Sequence, residues 1–428
     1  MYIRFSVVPL SLAGVLLALL TSSHVVLILF EVALALLCVL DAALAPAPRH
    51  LSVHREAAAS TRVRTTLEQV LTLTNTGTRR MRGEWRDAWP PSANVVPSRH
   101  SFDLAPGAST THTSTLTPQR RGTRKSEHLT VRSRGPLGFA GRQRSRSTFW
   151  NVHVLPAFTS RRHLPARVAR LRELEGRALL LTRGQGTEFD SLREYVAGDD
   201  VRAIDWRSTA RLGTTVVRTW RPERDRQVII VADSGRGGAL RIAENPAFDA
   251  YIETSLLMAA LAERAGDRVH VFVLDSHVQT AVAAARGIGI INRLGEAFAD
   301  TEPTLAATDW RLAASEIDRL THQRSLVVLL TTIGLSAISD GLLDVLPQLA
   351  RRHTVLIGSV QRSKSDLVNF SAAEDAFQAA ASARSELEVA AVIRNLQQLG
   401  ATVVQERADG LPPAIADTYI ELKARGKL

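Results

Sequence analysis

QVIIVADSGRGG, residues 227–238, decides how the C-terminal half of the chain is read. Five of its first seven residues are apolar without a break, the pattern of a strand buried on both faces. The strand ends in Asp233 and runs into a Ser and Gly loop. Such a loop holds a metal, a phosphate or nothing, and the stretch by itself does not choose among them.

Further apolar runs follow at 268–275 (RVHVFVLD), 325–332 (SLVVLLTT), 353–360 (HTVLIGSV) and 401–407 (ATVVQER). Amphipathic segments alternate with them, at about 245–265, 285–299, 308–321, 340–351, 371–398 and 412–425. Strands alternating with helices imply a doubly wound, mostly parallel α/β sheet over 227–428. Sites in such sheets lie at the carboxyl ends of strands, where ADSGRGG sits.

Upstream, residues 46–158 lack helical periodicity. TTLEQVLTLTNTGTRR, SFDLAPGASTTHTSTLTP and SEHLTVRSRGPLGFAGRQ read as short strands around turn residues, a small β-sandwich-like domain. Residues 159–226 read as an Arg-rich connector.

The N-terminus carries two apolar runs, 5–20 and 25–45, separated by TSSH. The second is long enough to span a bilayer, and the first becomes so if residues 1–4 are partly included. The pair reads as a transmembrane helical hairpin over 1–45; a cleaved signal peptide explains only one such run. The Arg-rich flank after Asp41, with Arg4 at the other end, places the remainder in the cytoplasm. Glu31 lies inside the second run and is assigned no role.

The 428 residues carry a formal net charge of +11. The positive charge is concentrated in the middle: residues 46–160 hold 18 Lys+Arg against 6 Asp+Glu, and 161–230 hold 15 against 10, whereas 231–428 hold 19 against 24. A basic segment suits an anionic membrane surface, nucleic acid or an acidic partner. Since nearly all of it is Arg in an Ala-rich chain, composition, or the membrane surface alone, accounts for it better, and no nucleic-acid partner is expected. The single cysteine, Cys38, excludes an internal disulfide. There is no phosphate-binding G-x-x-x-x-G-K-[ST] loop, no G-x-G-x-x-G after a strand and no H-E-x-x-H. No cofactor is expected.

The densest stretch is GQGTEFDSLREYVAGDDVRAIDWRSTAR, 184–211. Its acids either form a cluster, with Asp199, Asp200 and Asp205 as candidate ligands of a divalent ion, or cap a helix through DVRAIDW. The block resembles the signature of a bacterial family known as domain of unknown function 58. The shared positions are Gly184, Gly186, Glu188, Phe189, Leu192, Arg193, Tyr195, Gly198, Asp199, Asp200, Arg202, Ile204, Asp205, Trp206, Ala210 and Arg211. RRG at 120–122, GPLGF at 135–139 and AGDRVHVFVLD at 265–275 extend the resemblance over essentially the whole chain.

The resemblance implies an inner-membrane protein with a β-sandwich-like segment and a domain similar to the von Willebrand factor A fold. It implies a MoxR-type AAA+ ATPase as partner and a chaperone-like or assembly role, and no catalytic activity is established for that family. The metal site usual in A-type domains uses D-x-S-x-S after the first strand, completed by a distant Thr and a later Asp. Here Asp233 matches, but Gly235 and Gly237 replace the serines and Thr332 stands where Asp is expected. The resemblance therefore implies a degenerate site without metal, with Asp233 capping its loop or pairing with Arg236. The expected function is a membrane-tethered, non-enzymatic adaptor. The alternatives are a metal-dependent hydrolase using Asp199, Asp200 and Asp205, and nucleic-acid binding by the basic β-domain.

Overall fold

The computed structural model describes residues 1–181, 188–221, 226–242, 245–283, 289–334, 341–361 and 372–426. The chain divides into two compact units, Met1–Ala157 and Phe158–Leu428.

The first unit begins with a two-residue strand, β1 (Tyr2–Ile3), followed by helices α1 (Val7–Thr21) and α2 (His24–Leu44). Helix α2 has 21 residues, about 32 Å at 1.5 Å per residue, long and apolar enough to cross a membrane. Helix α1 has 15 residues, about 22 Å, and is shorter than a span. Residues 1–4 do not lengthen α1, contrary to the sequence reading, because Tyr2 and Ile3 pair antiparallel with Gly141 and Ala140. The two helices meet through small and polar side chains: Ser11 Oγ donates to Glu31 at 2.9 Å, and Gly14 leaves room for the Phe30 ring.

Nine further strands build a two-sheet sandwich: β2 (Leu51–Ala57), β3 (Ser60–Arg62), β4 (Leu67–Asn75), β5 (Met81–Asp87), β6 (Val95–Val96), β7 (Arg99–Leu104), β8 (Ser109–Leu116), β9 (Gly122–Arg134) and β10 (Ala140–Leu155). One sheet runs β1-β10-β9-β5-β7 with β3 on β10, the other β2-β4-β8-β6. The strands around Pro106-Gly107 both form, but β7 joins one sheet and β8 the other, so this turn carries the chain between sheets. Inward residues of both sheets, among them Leu51, Leu71, Leu73, Trp85, Phe102 and Leu129, share one core. A buried Asp87 stitches the sandwich. It accepts from Arg55 at 2.8 Å, Gln69 at 2.9 Å, and Ser126 and Trp89 at 2.6 Å each.

The second unit opens with α3 (Leu164–Leu181), whose Val168 and Leu171 enter the main core. The start of the connector is thus a packed helix. A two-stranded antiparallel ribbon follows, β11 (Glu188–Glu194) with β12 (Val216–Arg221), enclosing α4 (Trp206–Leu212). Next come β13 (Gln227–Asp233), the single turn α5 (Arg236–Ala239), β14 (Arg241–Ile242), β15 (Asn245–Pro246), α6 (Ala247–Arg264), β16 (Arg268–Leu274), β17 (Val278–Ala283), α7 (Ile290–Ala299), α8 (Trp310–Leu320), β18 (Leu326–Leu330), β19 (Thr354–Val360) and β20 (Thr402–Glu406). Helices at Leu342–Arg352, Ala372–Gln398 and Leu411–Ala424 separate or follow the last strands.

The six-stranded sheet has the order β17-β16-β13-β18-β19-β20, parallel except for the edge strand β17. Alternation along β13 explains the layers. Val228, Ile230 and Ala232 face a core shared with α3, α6, α7 and the 411–424 helix. Ile229 and Val231 face a second core, shared with α8 and the 342–352 and 372–398 helices. The connections turn opposite ways on either side of β13 and β18. Their carboxyl ends therefore form the switch point where α/β sheets open a crevice.

Candidate functional site

Asp233 ends β13 at this switch point and is buried. Oδ1 accepts from the Gly235 N–H at 2.8 Å and from Thr308 Oγ1 at 2.6 Å, and Oδ2 accepts from Thr331 Oγ1 at 2.6 Å. Thr308 comes from the loop before α8 and Thr331 from the residue after β18. That loop lies along ADSGRGG through Thr304 N–H to Ser234 O at 2.7 Å and Arg236 N–H to Ala306 O at 2.9 Å. Thr332 faces elsewhere. It donates to the Gly237 carbonyl at 2.7 Å and meets the buried Tyr251 hydroxyl at 2.8 Å. Burial pushes the Tyr251 hydroxyl far above its ordinary range, so it stays protonated and donates.

The glycines are fitted to this arrangement. A Cβ on Gly237 would stand 2.3 Å from Asp233 Oδ2, and one on Gly235 would stand 2.3 Å from Thr308 Oγ1 and 2.7 Å from the Ala306 carbonyl. The threonine hydroxyls thus occupy the neighbourhood that serines at 235 and 237 would need. The oxygens gathered on Asp233 are hard donors of the type that hold Mg²⁺, yet both carboxylate oxygens already accept hydrogen bonds. Among the described residues, no group of three or more His, Cys, Asp or Glu side chains is arranged to hold a metal ion.

A second buried carboxylate, Asp275, follows β16. It accepts from His277 N–H at 3.0 Å, Gln279 at 2.7 Å and Thr304 at 2.8 Å. Burial works to raise its pKa, but these hydrogen bonds outweigh it and hold the carboxyl below the usual range. Asp275, Thr304, Thr308 and Thr331 had no signal within ADSGRGG. A loop with three threonines, TEPTLAATD at 301–309, was the one local hint.

The signature block is a separate feature of the same unit. Gly184 and Gly186 lie outside the described residues, and Glu188 and Phe189 pair along β11 with Arg221 and Trp220. Arg193 grips Asp199 with two guanidinium nitrogens, at 2.8 and 2.5 Å, and Asp199 also accepts from Val196 N–H at 2.9 Å. The Arg193 hydrogen bonds hold the Asp199 carboxyl below the usual range. Asp200 caps the 3-10 turn at 201–203 by accepting from Arg202 N–H at 2.9 Å. Asp205 caps α4 through Ser208 N–H at 2.9 Å and pairs with Arg218 at 2.6 Å; the first of these contacts, then the second, lowers its pKa. Gly198 and Gly213 have φ of +109° and +72°, left-handed values suited to glycine at the turn and the α4 C-terminus.

These acids serve local geometry, and the apolar residues do the opposite of what packing favours. Val196, Val201 and Leu212 are each 62% exposed and Trp206 is 70% exposed. Tyr195 is half-buried and Leu192 borders on exposed, and Arg202, Arg207 and Arg211 of the same stretch are exposed.

Residues 191–385 match the family model described as "Protein of unknown function DUF58", which supports the family read from the signature block. A search of the curated proteins gave no match. Among solved structures, the CARDB domain of the PF1109 protein from Pyrococcus furiosus is similar at 14% identity, covering 24% of this chain and 87% of that one, with a TM-score of 0.19. A beta-glucosidase from Listeria innocua is similar at 13% identity, covering 24% of this chain and 16% of that one, with a TM-score of 0.18. Red sea bream transglutaminase is similar at 15% identity over 25% of this chain and 15% of its own, with a TM-score of 0.18.

Proposed function

We propose that this protein is a membrane-tethered, non-enzymatic adaptor that works with a MoxR-type AAA+ ATPase in a chaperone-like or assembly role. In this reading α1 and α2 form a hairpin in the bacterial inner membrane and both units face the cytoplasm. The second unit is similar to a von Willebrand factor A domain whose metal site is degenerate. The carrying observation is the signature module. Its carboxylates are engaged as caps and ion pairs, while Trp206, Val201, Val196 and Leu212 are presented to solvent. Exposed aromatic and aliphatic side chains interspersed with exposed arginines suit a protein contact. The same engagement disfavours Asp199, Asp200 and Asp205 as a hydrolytic cluster.

The test is chemical crosslinking in native membranes followed by capture of the full-length chain. The proposal expects an AAA+ ATPase crosslinked to residues of 191–213. Repeated capture without any AAA+ ATPase would reject it.

A further inference from the structure

The sandwich contains a cavity of about 220 Å³ between the edge strand β2 and the β9–β10 pair. Its floor is apolar: Leu51, Leu129 and Val131 are buried and Val53 is half-buried. Its rim is cationic, with Arg49, Arg144 and Arg146 exposed around the mouth. Arg146 donates to the carbonyl of Leu51, another lining residue, at 3.1 Å. Among the described residues, no carboxylate forms an ion pair with any of these three arginines. Three like charges around one apolar hollow repel each other, and an anion relieves that repulsion.

Its position narrows the choice of anion. Arg142, two residues before Arg144 on β10, donates to the Ala42 and Ala43 carbonyls in the last turn of α2, at 3.0 and 2.8 Å. Residues 142, 144 and 146 share one face of the strand. At ~3.4 Å per residue, Arg144 lies about 7 Å and Arg146 about 14 Å along β10 from Arg142, whose guanidinium meets the helix end. Pro48 is four residues beyond Leu44, at most about 14 Å of chain. A bilayer's headgroup layer begins where a spanning helix leaves its ~30 Å hydrocarbon core and extends roughly 5–8 Å. If α2 spans a bilayer, the near side of the cavity lies close enough to the headgroup layer for its arginine side chains to reach it.

We propose that this cavity binds an anionic phospholipid, one per chain, with the headgroup phosphate between Arg49, Arg144 and Arg146 and the first acyl carbons on the Leu51, Leu129 and Val131 floor. Guanidinium groups match phosphate oxygens in two-point geometry. The volume is below the roughly 300–1,000 Å³ of pockets that enclose a whole ligand, so the rest of the lipid stays in the bilayer. The placement rests on the reading of α2 as a membrane helix; the ligand chemistry rests on the cavity alone.

The experiment titrates the full-length chain, in uncharged detergent, with soluble dioctanoyl phosphatidylglycerol, dioctanoyl phosphatidylcholine and inorganic phosphate, followed by calorimetry. Phosphatidylglycerol is expected to bind at least about tenfold tighter than either of the others, at one per chain. Arg144→Glu with Arg146→Glu should abolish the preference, and the milder Arg144→Gln with Arg146→Gln should reduce it without loss of the melting transition. Arg161→Glu with Arg162→Glu, the same charge change in the other unit, should leave it intact. Equal affinity for the two lipids, phosphate binding as tightly as phosphatidylglycerol, or equal loss in the 161/162 variant would overturn the proposal. Alkaline extraction of membranes is a separate arm. Release of the chain refutes the membrane helix, while the titration still decides the cavity.

Discussion

Replacing Gly237 by Ser probes the switch-point site most sharply. The new Cβ would stand 2.3 Å from Asp233 Oδ2 and 3.0 Å from Thr331 Oγ1, so the buried carboxylate must move. Moving it breaks the 2.6 Å bond from Thr331, a hydrogen bond to a charged group worth about 1.5–3 kcal/mol. Crowding a packed interior adds about 1–3 kcal/mol. The total is about 2.5–6 kcal/mol, which for a unit of this size lowers Tm by roughly 5–24 °C. Thermal unfolding of the full-length chain, followed by circular dichroism, measures it. A variant melting within about 2 °C of the parent would refute the close fit of glycine to Asp233. A triple change of Gly235→Ser, Gly237→Ser and Thr332→Asp should not gain Mg²⁺ affinity unless Thr308 and Thr331 are also reduced to Ala, because their hydroxyls hold the carboxylate.

Other parts of the molecule give independent tests. Arg55 and Asp87 are almost fully buried, so Asp87→Ala leaves a guanidinium uncompensated and should cost about 3–5 kcal/mol in urea unfolding. A loss under 1 kcal/mol would contradict the stitching role. Asp41 is fully buried and accepts from the N–H groups of Leu137, Phe139 and Ala140 at 2.7–2.9 Å, which ties the end of α2 to the β9–β10 turn. Asp41→Ala should speed proteolysis within 135–140 severalfold; unchanged cleavage would argue against the tie. Burial lowers the pKa of His100 and His112, which sit against Trp85. Because the folded-state values are depressed, their neutral forms are favoured above pH ~6.5, and stability falls as pH drops below that value toward the folded pKa. The Tm should decrease between pH 7 and pH 5, and an increase would contradict the assignment.

Much of the sheet was legible because strands buried on both faces are unbroken apolar runs, as in QVIIVAD and HTVLIGSV. Strand β17 was not, since VQTAVA is half-exposed at an antiparallel edge and carries no such run. Helix α3 was hidden by its arginines, although Val168 and Leu171 are spaced to face one side. At the site, Asp233 was visible from its place at a strand end. Thr308 and Thr331 were not, because they arrive from 75 and 98 residues away and tertiary packing alone brings them in. In the signature block the sequence left the acids open between ligand cluster and helix cap. The geometry has Asp200 and Asp205 as caps and Asp199 paired with Arg193.

The central proposal is that the exposed apolar residues of the signature module meet an AAA+ ATPase. The most direct measurement is the affinity of the purified full-length chain for the ATPase recovered by crosslinking, compared with a Trp206→Ala, Val201→Ala variant. Both positions are exposed, so the fold should be unaffected, and the account predicts binding weaker by about tenfold or more. Equal affinity of parent and variant would contradict it.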